Sequence, residues 1–325
     1  MVMAIGRLGK LAQHLRLEYG MASPESLYAL GLFQYPALGR MMERAKRGRE
    51  LSAWSLKPVH PDSGSVMDRD DDSHFQNHTP HGIAGAALFP IMNAIDSLVV
   101  TCVVLEQVPR ATPFDHHPPS VMSLCRTAFE SASQGIWMLS PSDRDKRRRR
   151  AAGASMVGAG QKSSHLRVEL EAHDDGKHVL PEPHLSGMRR HLKFAIEERD
   201  RLEKLNREPD SFSTMVSKTG DWLAKNPPQH LQSELNSVDL PTRISQQYRL
   251  CSSFTHGYNW GTDFCSGIGD IGAMLSDAIA VAVFVTEAAV ALYEAQATNP
   301  RSSGRASHYP PIIQPTIDQY TSLFG

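Results

Sequence analysis

Four things are scarce in this chain of 325 residues, and each scarcity excludes something. Cysteine occurs only at 102, 125, 251 and 265, with no CxxC pair. Neither a disulfide framework nor a zinc ribbon is therefore expected, and the thiols read as reduced and largely buried. An excess of one charge is missing too: 34 Lys+Arg stand against 35 Asp+Glu. Such a balance excludes polyanionic and polycationic tail proteins and argues against non-specific coating of nucleic acid, while leaving room for a local basic site. Unbroken hydrophobic runs are short. Residues 83–105 are interrupted by Pro90, Asn93 and Asp96, and residues 271–292 by Asp277 and Glu287. Each run falls short of the roughly 20 residues a bilayer needs, so no membrane span is expected. Arg7, Lys10, His14 and Arg16 recur through the N-terminal segment and leave no signal-peptide apolar region, which points to a cytoplasmic protein. Strand signals are the fourth scarcity, since no hydrophobic alternation holds over five or more residues.

Helical periodicity is what the chain has instead. Residues 2–18 form a basic amphipathic pattern with Ile5, Leu8, Leu11, Ala12 and Leu15 on one face. Ser23-Pro24 is a helix start, and a further helix is expected over 36–51. Residues 57–82 combine prolines and glycines with Asp68, Asp70, Asp71 and Asp72, the pattern of a linker or long surface loop. Helices are then expected over 83–107, 120–139, from the basic run near 144 to about 172, and over 185–206, 211–225, 241–256 and 267–296. The fold class is all-α, a helical bundle with an N-terminal helical extension. The expected divisions are an extension over 1–56, a linker over 57–82, the bundle over 83–297 and a Pro-rich tail over 298–325.

The most informative stretch runs from Gln247 to Gly257. Arg249 and His256 are seven residues apart, a net rotation of only about 20° and a rise of roughly 10 Å, so the two side chains share a helical face with Ser253 between them. An arginine presents a permanent cationic fork to phosphate oxygens, and a histidine moves a proton near neutral pH. Gly257 is placed to end the helix, and the carbonyl end of a helix favours an imidazolium suited to general-acid work. Arg126 and Glu130, one turn apart on an upstream helix, are candidates to line the same groove, with Glu130 orienting Arg249 or His256.

Arg249-x6-His256 resembles the Rx4–6H motif of the HEPN superfamily, and the resemblance extends to Tyr248-x3-Ser252-x3-His256-Gly257 and to the helix bearing Arg126 and Glu130. It covers about residues 83–297. The resemblance implies a helical bundle, a homodimer, and a metal-independent ribonuclease of the toxin or phage-defence kind. In that reading the RNA 2′-OH attacks the adjacent phosphorus, His256 handles a proton, and Arg249 stabilises the developing charge, with Arg126 and Glu130 completing the catalytic set. No cofactor is implied. The alternative is a non-catalytic helical module that binds a partner protein or nucleic acid, favoured by Leu250 beside Arg249 and by residues 1–56 as a partner-protein surface.

The densest charge cluster is Arg147, Arg148, Arg149 and Arg150, preceded by Arg144 and Lys146. It is a candidate phosphate-backbone contact for RNA together with Tyr248 and Ser253; the competing readings are a solvated helix start near Asp143 and Asp145, or contact with the acidic loop at 68–72. His74, His78 and His81 have a spacing metals use, but Pro80 interrupts them and no metal site is expected. His173-Asp174 sits in a polar turn and reads the same way.

Overall fold

The structure, a computed structural model, describes residues 36–79, 81–107, 117–266, 268–302 and 304–324. Among the described residues it is helical throughout, with no strand, as the periodicity predicts. The elements are α1 (Pro36–Glu50), α2 (Ser52–Leu56), α3 (Val66–Asp70), α4 (Ser73–Gln76), α5 (Gly82–Gln107), α6 (Pro118–Leu139) and α7 (Arg144–Asp174). There follow α8 (Glu182–Leu202), α9 (Phe212–Lys225), α10 (Gln232–Leu235), α11 (Leu240–Thr255), α12 (Ile268–Ala297) and α13 (Gln314–Thr321).

Helix starts follow local chemistry. Ser211 Oγ accepts from the Thr214 amide at 3.2 Å to open α9, and Asp239 Oδ1 accepts from the Thr242 amide at 3.3 Å to open α11. Prolines stand in the first turns of α6 and α11, where the missing amide hydrogen costs no bond. Between α6 and α7, Ser140 closes the first helix and Asp143 caps the second.

The centre of the bundle is α12. From Leu275 to Ala297 nearly every residue is buried, and α1, α5, α6, α11 and α13 surround it. A helix apolar on every side has no solvent face to offer, so it becomes the hub. Two of its carboxylates are buried and paired inside the fold. Glu287 accepts from Arg47 at 3.1 and 2.8 Å and stands 3.1 Å from His230 Nε2. Glu294 accepts from Trp54 Nε1 at 2.8 Å and from Arg305 at 2.6 Å. Each pair places a charge where an unpaired one would cost several kcal/mol, on the order of 3–5. By length and composition alone, α5 and residues 270–297 of α12 are apolar enough to cross a membrane, although their unbroken runs in the sequence are short. In the fold 50% of the first window and 89% of the second are buried, and burial of that second degree is the mark of a core helix.

The expected divisions shift. The predicted helix over 2–18 and the start at Ser23-Pro24 lie outside the described residues. The described part of the N-terminal extension is no appendage: Met41, Ala45, Leu51 and Trp54 belong to the same core as α5, α6 and α12. Residues 57–82 are not a free linker either, because α3 and α4 bury Met67, Asp70 and Phe75. The C-terminal segment docks, with Ile313, Ile317 and Tyr320 buried and α13 packed on α12. Among the described residues, α7 and α8 form a pair that packs chiefly on itself, with Leu166, Leu170, Leu185 and Ala195 buried.

Candidate functional site

The candidate site forms where α6 crosses α11. Met122 and Cys125 of α6 and Cys251 of α11 are buried at the seam, with Cys251 Sγ 3.9 Å from Met122 Sδ. Burial pushes the Cys125 thiol up to about 12 and Cys251 upward too, so both are packing groups rather than nucleophiles. At the rim, Thr255 Oγ1 donates to Ser123 Oγ at 3.2 Å. This seam sets four polar side chains side by side.

Glu130 is their centre. Its Oε1 accepts from Arg126 Nε at 3.1 Å and from the Tyr248 hydroxyl at 2.9 Å, and lies 3.0 Å from Arg126 Nη2. The third nitrogen of Arg126, Nη1, lies 3.0 Å from Nε2 of His256. A guanidinium has donors and no acceptor, so Nε2 must receive this bond and is unprotonated in this arrangement. The C-terminal helix position suggests an imidazolium; the contact with Arg126 instead uses the Nε2 lone pair. Burial, with Glu130 second, raises the Tyr248 hydroxyl above its ordinary range, so it remains a donor.

Helix α11 ends as the sequence predicts. Gly257 has φ +70°, its amide donates to Phe254 O at 3.2 Å, and the Tyr258 amide donates to Ser253 O at 2.8 Å. This pair of reversed bonds is a glycine-centred helix stop, and it leaves His256 exposed at the rim.

Of the residues singled out in the sequence, the structure brings Arg126, Glu130, Tyr248 and His256 together and places the others elsewhere. Glu130 orients Arg126 and Tyr248, not Arg249. Arg249 is exposed, and among the described residues it has no recorded hydrogen bond or ion pair. The cation touching His256 is Arg126. Ser253 is 1% exposed and donates to Leu250 O at 2.7 Å, so it cannot meet a nucleic acid. Its wall is Gly261, whose added Cβ would fall 2.5 Å from Ser253 Oγ and 2.8 Å from the Phe254 ring.

The basic run is also corrected, in favour of its pairing with the acidic loop. Arg147 is buried and grips Asp70 at 2.6 and 3.0 Å, with the Pro141 and Ser142 carbonyls at 2.8 and 2.9 Å. Arg148 takes the Asp70 carbonyl at 2.8 Å and Asp72 at 2.6 Å. Arg150 is buried against Glu208 at 3.2 Å and lies over the Trp137 ring, its guanidinium 5.0 Å from the centroid. Arg149, 3.9 Å from Asp143, keeps the most exposure of the four. Successive helical residues point in different directions, and each of these four has a carboxylate partner within the protein, at 3.9 Å for Arg149. Arg147 and Arg148 clamp residues 57–82, and Arg150 is held by Glu208 and Trp137 instead.

The histidine-rich loop holds its acids in the same way. Asp71 accepts from the Ile83 and Ala84 amides at 2.6 and 3.3 Å, capping α5. The His74 side chain lies outside the described residues. A cavity of about 530 Å³ opens there, lined in part by His60, Asp68, Asp71, His81 and Tyr293, and it includes none of the four clustered residues of α6 and α11. His173 Nδ1 accepts from the Leu180 amide at 3.1 Å, so that histidine closes a turn. What the sequence reading missed is a set of exposed rings just past His256: Tyr258, Trp260 and Phe264. Their signal was present as three aromatics within seven residues of a chain that is only 7% aromatic.

No family model, no curated protein and no solved structure matches the chain.

Proposed function

We propose that this protein is an HEPN-like metal-independent ribonuclease that cleaves RNA with an arginine–histidine pair, acting as a cytoplasmic homodimer of the toxin or phage-defence kind. The observation that carries the proposal is the 3.0 Å contact between Arg126 Nη1 and His256 Nε2, backed by Glu130 and Tyr248 and open to solvent at His256. A cation and an imidazole in direct contact are the two groups that transesterification of RNA needs.

In the proposed reaction, a phosphate oxygen takes over the Arg126 Nη1 donor, which frees His256 Nε2. The imidazole removes the proton of the ribose 2′-OH as the 2′ oxygen bonds to phosphorus. The bond from phosphorus to the 5′ oxygen breaks, and that oxygen takes a proton from solvent. The products are a 2′,3′-cyclic phosphate and a 5′-OH end. Arg126, with the exposed Arg249 two turns back from His256, neutralises charge on the non-bridging oxygens. Glu130 is the only carboxylate in the cluster and is already engaged by Arg126 and Tyr248, which supports chemistry through side chains alone.

A second reading has one observation in its favour. Arg126 meets Glu130 and His256 entirely within the protein, which is also how a polar seam is satisfied in a non-catalytic module that binds a partner protein or nucleic acid. The deciding experiment incubates purified protein with RNA in EDTA and compares it with Arg126→Ala, Arg249→Ala and His256→Ala. Cleavage that is lost with His256→Ala and Arg126→Ala supports the enzyme. No cleavage by any form, or equal cleavage by all, leaves the binding module.

A further inference from the structure

Immediately after His256 the chain presents three rings to solvent. Tyr258 is 60% exposed, Trp260 40% and Phe264 74%. Large apolar side chains gathered at one place on a surface usually mark a contact. The turn that carries the first two rings is tied to α11 and to itself. The Tyr258 amide is tied to Ser253 O at 2.8 Å, and Gly261 is seated so tightly on Ser253 and Phe254 that no side chain fits there. The Thr262 hydroxyl donates to Asn259 O at 2.7 Å and closes the 3-10 turn that carries Trp260.

The geometry connects the rings to the cluster. The Tyr258 ring centroid lies 5.9 Å from that of His256, with the planes tilted by 40°. Trp260 and Phe264 meet edge to face at 6.3 Å and 86°, which makes a corner of two ring surfaces. Cations lie on the α6 and α11 side, at Arg126 and Arg249, whereas the ring segment carries the exposed carboxylate of Asp263. That charge division suits a ligand with its phosphates on the arginines and its uncharged, flat parts on the rings.

We propose that Tyr258, Trp260 and Phe264 form a stacking platform for unpaired RNA bases beside the phosphate gripped at Arg126 and His256, so that the site selects single strands over duplex. The proposal rests on the ribonuclease reading for its choice of RNA. Every nucleobase has a π face, so such a platform is tolerant of sequence. In an A-form duplex those faces are already stacked on one another, and the rings find only edges and backbone.

The test uses the full chain carrying His256→Ala, which halts turnover and keeps the ligand intact. A labelled mixed-sequence RNA of about 12 nucleotides, within the span such surfaces occupy, is titrated alone and annealed to its complement. Fluorescence anisotropy reports binding, and quenching of tryptophan emission reports stacking. The single strand is expected to bind at least about tenfold more tightly than the duplex. Adding Trp260→Ala or Phe264→Ala is expected to weaken single-strand binding roughly tenfold and leave duplex binding unchanged. Trp260→Phe keeps a ring and restores most of the affinity, which separates stacking from any loss of fold. Equal binding of single strand and duplex, or single-strand binding indifferent to the ring substitutions, overturns the proposal. The two readings fail separately. Cleavage in EDTA by the unaltered protein, with single-strand binding indifferent to the rings, overturns the platform alone. Ring-dependent binding by a chain that never cleaves sustains the platform and overturns the nuclease.

Discussion

Arg126 and His256 lie 130 residues apart in the chain, yet the guanidinium Nη1 of one is 3.0 Å from Nε2 of the other. The contact exists because α6 and α11 share a seam of Met122, Cys125 and Cys251, and because Glu130 on the next turn holds the other edge of the guanidinium. An arginine at 126 thus does two jobs with one planar fork.

Replacing that fork is the most direct test of the site. Arg126→Ala is expected to lower RNA cleavage in EDTA by about 10²–10³-fold, the scale of losing one transition-state donor. Arg126→Lys is expected to recover little, because a single ammonium cannot serve Glu130 and His256 together. Initial rates at saturating RNA give the comparison, and a lysine variant as fast as the parent would contradict the fork geometry.

The clamp between Asp70 and Arg147 should matter for stability. Both side chains are buried, and removing the carboxylate strands a cation inside the fold. Asp70→Ala is expected to cost about 3–5 kcal/mol in urea unfolding. Arg149→Ala, on the same run but half-buried and 3.9 Å from a solvent-facing Asp143, is expected to cost no more than about 1 kcal/mol.

Acid should act on neighbouring aspartates in opposite directions. Burial pushes Asp71 up to about 6, above its ordinary 3.8, so its contribution to stability is present below about 4 and is lost as pH rises to about 6. Asp72, hydrogen-bonded to Arg148, is held down at about 2, so its contribution is present above about 4 and is lost as pH falls toward about 2. Asp71→Asn is therefore expected to flatten the melting-temperature profile between about pH 4 and pH 6 and leave the lower limb unchanged. A profile with the same slope in that window would show that Asp71 does not titrate there.

Gly261 sets the closeness of the ring segment to α11. A methyl group there would meet Ser253 Oγ at 2.5 Å and the Phe254 ring at 2.8 Å. Gly261→Ala is expected to cost about 1–3 kcal/mol through overpacking. Adding Ser253→Ala removes one of the two clashing groups, so the double variant is expected to be less destabilised than the sum of the singles. Thermal or urea unfolding of the four proteins closes that cycle.

The cluster was partly legible before any coordinates. The pattern from Tyr248 to Gly257, and Arg126 with Glu130, carry helical spacing that marks which residues share a face, and all but Arg249 of the proposed catalytic set meet in the structure. The arginine run shows the opposite. Arg147 to Arg150 looked like a surface for phosphate, and its inward turn depended on where Asp70, Asp72 and Glu208 come to lie, 58 to 78 residues away in the chain. Spacing along a helix places Ser253 on the same line as His256, but Gly261, arriving from the next turn, covers it.

By itself the amino-acid order determined the helices and their ends: the Asp239 cap, the proline starts and the Gly257 stop all work through bonds a few residues long. Tertiary packing alone decided which arginine meets His256, which basic residues are spent on internal carboxylates, and that the segments flanking the expected bundle belong to its core. The reason is reach. Capping and periodicity are local and survive in any context, whereas burial and charge pairing depend on which distant element comes to rest on each face.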